Sequence, residues 1–183
     1  MYQWLLYGHL IGVLLLVLGT GVFIAGVEGV RRGDDVPALR ASLSIVTVGV
    51  RVMAPGGVLL LGFGIVMAAM SWSLADTWIA TALILVVVMG VNGLQVERRL
   101  HMLEATLNDA GDGPLPAAVR RLSQAPWLHA SNRAGLPLLA ELEYLMTMKP
   151  GITGVAISLA IAAAGVALLA RATVVSGERP RVT

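Results

Sequence analysis

The sequence predicts an all-α fold, a bundle of four transmembrane helices, and three observations carry that prediction. Of 183 residues, 57% are hydrophobic and only 13% are charged, and the mean hydropathy of +0.81 lies well above the balance of a water-soluble domain. The apolar residues are gathered into uncharged runs of about 20, the length with which a helix crosses hydrocarbon. The charges fall in the segments beside those runs, so the net charge of +2 reports orientation rather than affinity for nucleic acid. Helices are required because lipid offers backbone amides no partners, and the ten-residue alternation of a membrane barrel is absent.

The first span runs from about Trp4 to Val27 and closes at "EGVRRGDD", where arginines and acids make further burial too costly. It lacks a basic segment before it and a small-residue cleavage site after it, so it is expected to be a retained helix. From Leu43 the apolar chain is too long for one span and contains Arg51 and Pro55. The lipid-buried part is therefore set at 52–70, with an approach helix before Arg51. The third span, 78–96, stops at "ERR". The fourth, 150–170, follows "LPLLAELEYLMTMK", whose two glutamates and lysine are expected to hold it at the cytoplasmic interface. In the loop 97–135, "RRLHMLEATL" and "PAAVRRLSQAPW" predict two short amphipathic helices separated by "GDGP".

Ten of the thirteen lysines and arginines lie between spans one and two or between three and four, and "SWSLADT" between two and three has none. By the positive-inside rule both basic loops are cytoplasmic, giving an N-out and C-out arrangement. Tyr2, Trp4, Trp72 and Trp78 then form an outer aromatic belt. Arg171, Arg179 and Arg181 in the C-terminal tail point the other way.

The chain has no cysteine, which excludes disulfides, thiolate metal sites and thiol catalysis. No Walker loop, zinc motif, nucleophile elbow or paired-carboxylate site is present. Two groups of residues remain as candidates. His9 is the one histidine of span one, roughly 7 Å below its outer end at 1.5 Å per residue. It reads either as an interfacial imidazole bonded to a neighbouring helix or as an axial ligand of haem b. His101 and His129 fall in the cytoplasmic loop, on the far side. An intrachain partner to His9 would have to be Met67 or Met70, at the outer end of span two, although methionine in an apolar helix usually only packs.

The second group is an inner polar cluster of Arg51, Glu141, Glu143 and Lys149, with Asn92 close enough to join by hydrogen bonding. It reads either as a salt-bridged collar fixing spans two and four or as a site for an anion, proton or lipid phosphate. Small residues four apart, such as Gly8 with Gly12 and Gly154 with Ser158, allow close helix approach.

The order of these features, a span-one histidine, "RVMAPGG", "ERRL", "SNRAGLPLL" and "MTMKPG", is similar to an uncharacterised bacterial family of predicted integral membrane proteins, domain of unknown function 2269. More distantly it resembles the HemJ-type protoporphyrinogen oxidases and the membrane domain of copper-resistance protein D. The HemJ-type resemblance implies that His9 occupies the place of a haem-associated histidine. Arg51, Met53 and Pro55 take the place of an Arg, Met and Pro at span two, and Lys149 with Pro150 that of a late Lys-Pro. Two groups of that pattern are missing: its span-three lysine falls in "WIATALI", and its later histidine is Asn92. Porphyrinogen oxidation is therefore not implied.

Two functions follow as expectations for a multi-pass protein of the bacterial cytoplasmic membrane whose surroundings are the lipid bilayer. One is a non-enzymatic accessory or structural subunit, packing against its own copies or a larger membrane complex. The other is a membrane redox protein that binds haem b through His9. Neither calls for nucleic acid or a protein-bound metal cluster.

Overall fold

A computed structural model describes residues 1–108 and 110–177, with side chains to residue 171. It contains six α-helices: α1 (Tyr2–Arg32), α2 (Val36–Ser71), α3 (Thr77–Asn108), α4 (Ala117–Ser123), α5 (Pro126–Met148) and α6 (Ile152–Gly177). Four of these, α1, α2, α3 and α6, are long and apolar enough to cross a membrane. The all-α, four-span expectation therefore stands. Arg179 and Arg181 lie outside the described residues.

Helices α1 and α2 form an antiparallel hairpin in contact along its whole length. Asp35 starts α2 by accepting a hydrogen bond from the Ala38 amide at 2.8 Å, the usual device for an otherwise unpaired amide of a first turn. Glycines let the two backbones meet. A Cβ on Gly12 would lie 2.5 Å from the Leu60 amide nitrogen, and one on Gly49 would lie 2.6 Å from that of Phe23. Pro55 is accommodated within α2, which runs unbroken from Val36 to Ser71. The approach helix and the second span are thus one rod.

The two segments expected as short amphipathic helices both turn their apolar faces into a core. "RRLHMLEATL" extends α3, and its Leu100, Leu103 and Leu107 are buried with Val27 and Val30 of α1, Val36 and Leu39 of α2, and Val119 of α4. Burying those leucines against protein satisfies their apolar face more completely than the interface would. A smaller core lies toward the other end, where Ala82 and Leu85 of α3 meet Leu142 and Leu145 of α5 and Val155 of α6.

The largest departure from expectation is α5. Its 23 residues extend roughly 34 Å at 1.5 Å per residue, comparable with the hydrocarbon thickness of about 30 Å. Its first turns meet the end of α1, where Arg133 binds Glu28 at 3.1 Å. Its far end places Lys149 over the Trp72 ring at 4.3 Å. The segment therefore does not rest at one interface but runs from the arginine-rich end of the bundle to the aromatic end.

Helix α6 then turns back alongside it, with Ser158 bonded to Glu141 and Gly165 against Pro137. Helix α5 lies beside the four apolar helices as a fifth, shorter rod, so the N-terminus and the end of α6 lie at opposite ends of the bundle. The reason is packing: α5 carries buried Leu142 and Leu145, which find their partners on α3 and α6.

Candidate functional site

The aromatic end is built from the first turns of α1, the turn between α2 and α3, and the C-terminus of α5. Trp72 and Trp78 meet edge to face at 5.7 Å between centroids, and Tyr2 leans on Trp72 at 6.5 Å. Lys149 closes the group, its ammonium 4.3 Å from the Trp72 centroid and 5.9 Å from that of Trp78, within the range of a cation–π attraction.

Lys149 also caps α5. It holds φ 47° and ψ 52°, a left-handed conformation, and its N–H bonds to the Leu145 carbonyl at 3.0 Å. Glycine or asparagine usually fills this position, because a larger side chain crowds the following carbonyl. Pro150 follows and stops the helix.

Below this cap, a cavity of about 250 Å³ opens between α1, α2, α3 and α5, with walls that include Leu6, His9, Met67, Trp78, Glu143 and Lys149. The lining is mostly apolar, punctuated by one imidazole, one carboxylate and one ammonium. His9 is fixed in its wall: Nδ1 lies 2.9 Å from the Leu60 carbonyl oxygen, so Nδ1 carries the proton and donates. Gly64 supplies the floor, since a Cβ there would come within 3.1 Å of the imidazole. In the neutral ring with Nδ1 so engaged, Nε2 is the nitrogen that carries the lone pair. This is the arrangement in which a ring tied to a carbonyl presents its other nitrogen to a metal.

The two sequence candidates are redistributed by this geometry. Of the methionines named with His9, Met67 is buried and lines the cavity, whereas Met70 is 53% exposed and outside it. The expected inner polar cluster does not assemble. Lys149 and Glu143 belong to the aromatic end and share the cavity with His9. Glu141 is buried between α5 and α6, where its Oε1 accepts a 2.6 Å hydrogen bond from Ser158 Oγ. Asn92 donates to the Ser131 carbonyl at 3.1 Å, joining α3 to α5 nearer the arginine-rich end. Arg51 is exposed on α2 and makes no ion pair among the described residues. The cause is the direction of α5, which carries its polar C-terminal residues away from Arg51.

The arginine-rich end holds a second polar group that the sequence reading did not isolate. Glu28 of α1 accepts hydrogen bonds from Arg31, from Arg32 at 3.0 Å and from Arg133 of α5 at 3.1 Å. Beside it His129 is buried, its Nε2 2.8 Å from the Ser123 carbonyl. Among the described residues, its Nδ1 and the Asn132 Oδ1 have no hydrogen-bond partner. Burial pushes the His129 pKa below its ordinary value, which keeps the ring neutral with Nε2 as the donor. The spacing of Glu28 four residues before Arg32 is the signal from which the intrahelical pair could have been read. The Arg133 partnership, more than a hundred residues apart, had no signal in the sequence.

Among protein families, one described as a predicted integral membrane protein (DUF2269) matches residues 3–150. The match takes in α1 to α5 and every cavity residue except Tyr2. No curated protein and no solved structure matches the chain.

Proposed function

We propose that this chain, which belongs to the DUF2269 family of predicted integral membrane proteins, is a non-enzymatic membrane protein that binds haem b in its aromatic-end cavity, with His9 as axial ligand. The observation that carries the reading is the 2.9 Å bond tying His9 Nδ1 to the Leu60 carbonyl at the wall of that cavity. It fixes the tautomer and leaves Nε2 as the coordinating atom.

The donor set fits the group. His9 would hold the iron from one side, Met67 is the thioether within the same cavity, and Lys149 would receive the acidic edge of the macrocycle. The cavity, at about 250 Å³, falls below the roughly 300–1,000 Å³ of sites that enclose a ligand. It would hold part of such a group and leave the rest to lipid. Bound haem would supply one-electron chemistry. The chain's own contribution is to orient the imidazole, exclude water and place a cation at the mouth.

The test is the visible spectrum of protein purified in mild detergent from haem-replete cells, oxidised and then dithionite-reduced. A Soret band lost in His9→Ala is expected. Met67→Leu is expected to alter the reduced spectrum and Met70→Leu to leave it unchanged. A colourless preparation would overturn the reading.

A second reading, the accessory subunit of a larger assembly, is favoured by Gly90 and Gly93 on α3, beside which a Cβ would meet nothing within 4 Å. Such a bare face suits close approach of another helix. Light scattering of the purified protein, with Gly93→Leu as the disrupting variant, tests it.

We also place the arginine-rich end on the cytoplasmic face of a bacterial cytoplasmic membrane. The N-terminus is then outside and the end of α6 inside, as the positive-inside rule and the direction of α6 together suggest.

A further inference from the structure

We infer that Arg31, Arg32 and Arg133, gathered around Glu28, form a binding site for a phosphate group at the arginine-rich end of the bundle. Three guanidinium groups from two helices converge on one carboxylate, with contacts of 3.0 Å from Arg32 and 3.1 Å from Arg133 and a direct pair from Arg31. Among the described residues every ion pair of these three arginines ends on Glu28. A single negative charge serves three positive ones, and the group carries an excess that favours a second anion.

Glu28 engages only some of the donors of these guanidinium groups. Arg31 uses Nε and Nη2 on Glu28, Arg32 uses Nε, and Arg133 uses Nη2. Among the described residues, Nη1 of Arg31, both Nη of Arg32, and Nε and Nη1 of Arg133 bond to no acceptor. The Arg31 and Arg133 side chains are 30% and 26% exposed, so both are partly shielded from solvent yet open to a ligand.

Several guanidinium forks around one point suit the tetrahedral oxygens of a phosphate better than a lone carboxylate. The place fits as well. The cluster begins one residue beyond Val27, where the apolar run of α1 ends, at the depth of phospholipid headgroups. The phosphate could be that of an anionic phospholipid or free inorganic phosphate, and the two are separable. The site lies at the opposite end of the bundle from His9 and does not depend on the haem reading.

Delipidated protein in neutral detergent is to be titrated separately with phosphatidylglycerol, phosphatidylcholine and inorganic phosphate, following the thermal midpoint and binding by native mass spectrometry. Arg133→Gln tests the interhelical arm. Arg32→Gln is the safer variant, because Arg32 is 72% exposed and its loss leaves Glu28 paired with two arginines. Phosphatidylglycerol is expected to raise the wild-type midpoint more than phosphatidylcholine does. Each substitution is expected to weaken binding at least roughly tenfold, the scale of one charge-assisted hydrogen bond.

A response to inorganic phosphate that is lost in the same variants would support the site with free phosphate as its ligand. No response to any phosphate compound, or a response undiminished in Arg32→Gln and Arg133→Gln, would overturn the inference.

Discussion

Lys149 shows how much a single backbone conformation can organise. Its left-handed φ of 47° ends α5, turns the chain into Pro150 and sets the ammonium over two tryptophans. Asparagine tolerates this conformation better than alanine, so Lys149→Asn is expected to be more stable than Lys149→Ala by about 1 kcal/mol in thermal or denaturant unfolding. Equal stabilities would mean that the strain is not present in the folded protein.

His129 makes a separate prediction. Its folded-state pKa lies below the ordinary 6.5, so the unfolded chain takes up the proton first. The His129 contribution is complete above about pH 6.5 and is lost as the pH falls below it. His129→Gln, which keeps a donor for the Ser123 carbonyl, should flatten the stability profile between pH 6.5 and 5. An unchanged slope would show that another group sets it.

At the level of elements, the α1–α2 hairpin rests on glycines that leave no room for side chains. Gly12 and Gly49 each face backbone atoms of the other helix closer than any real Cβ would lie. Gly12→Val or Gly49→Val must therefore push the helices apart and should cost about 1–3 kcal/mol, the range for overpacked cores. Gly57 and Gly93 face open space, and alanine there should be neutral or stabilising by up to ~1 kcal/mol through helix propensity. Thermal unfolding in a fixed detergent compares the four variants directly. Equal losses at all four sites would contradict the close hairpin. The small-residue spacing of Gly8 and Gly12 was visible in the sequence, but not which helix it would face. That choice was made by the matching glycines of α2, and pairing of this kind has no local signature.

For the whole molecule, the consequence is topology. The five long helices put the ends of the chain on opposite sides if all five cross the bilayer. A reporter fused after Thr183 is then expected to behave as cytoplasmic, and one fused before Met1 as extracytoplasmic. Extracytoplasmic behaviour at both ends would mean that α5 lies along a surface instead of crossing. The tail arginines that disagreed with a C-out arrangement, Arg171 among them, agree with this one.

Composition and periodicity alone determined that the protein is helical, lives in lipid, and gathers Tyr2, Trp72 and Trp78 at one end and most of its arginines toward the other. These follow from the transfer free energies of individual side chains, which need no knowledge of neighbours. Only tertiary structure decided the rest: that Lys149 and Glu143 join His9, that Arg51 stands apart, and that Glu28 gathers arginines from two helices. The segment that became α5 carries Arg133, Glu141 and Glu143, enough charge to disguise a rod. Its acids and its arginine are tolerated because neighbouring helices supply partners to Glu141 and Arg133. That compensation exists only between helices, so no reading of one segment at a time could find it.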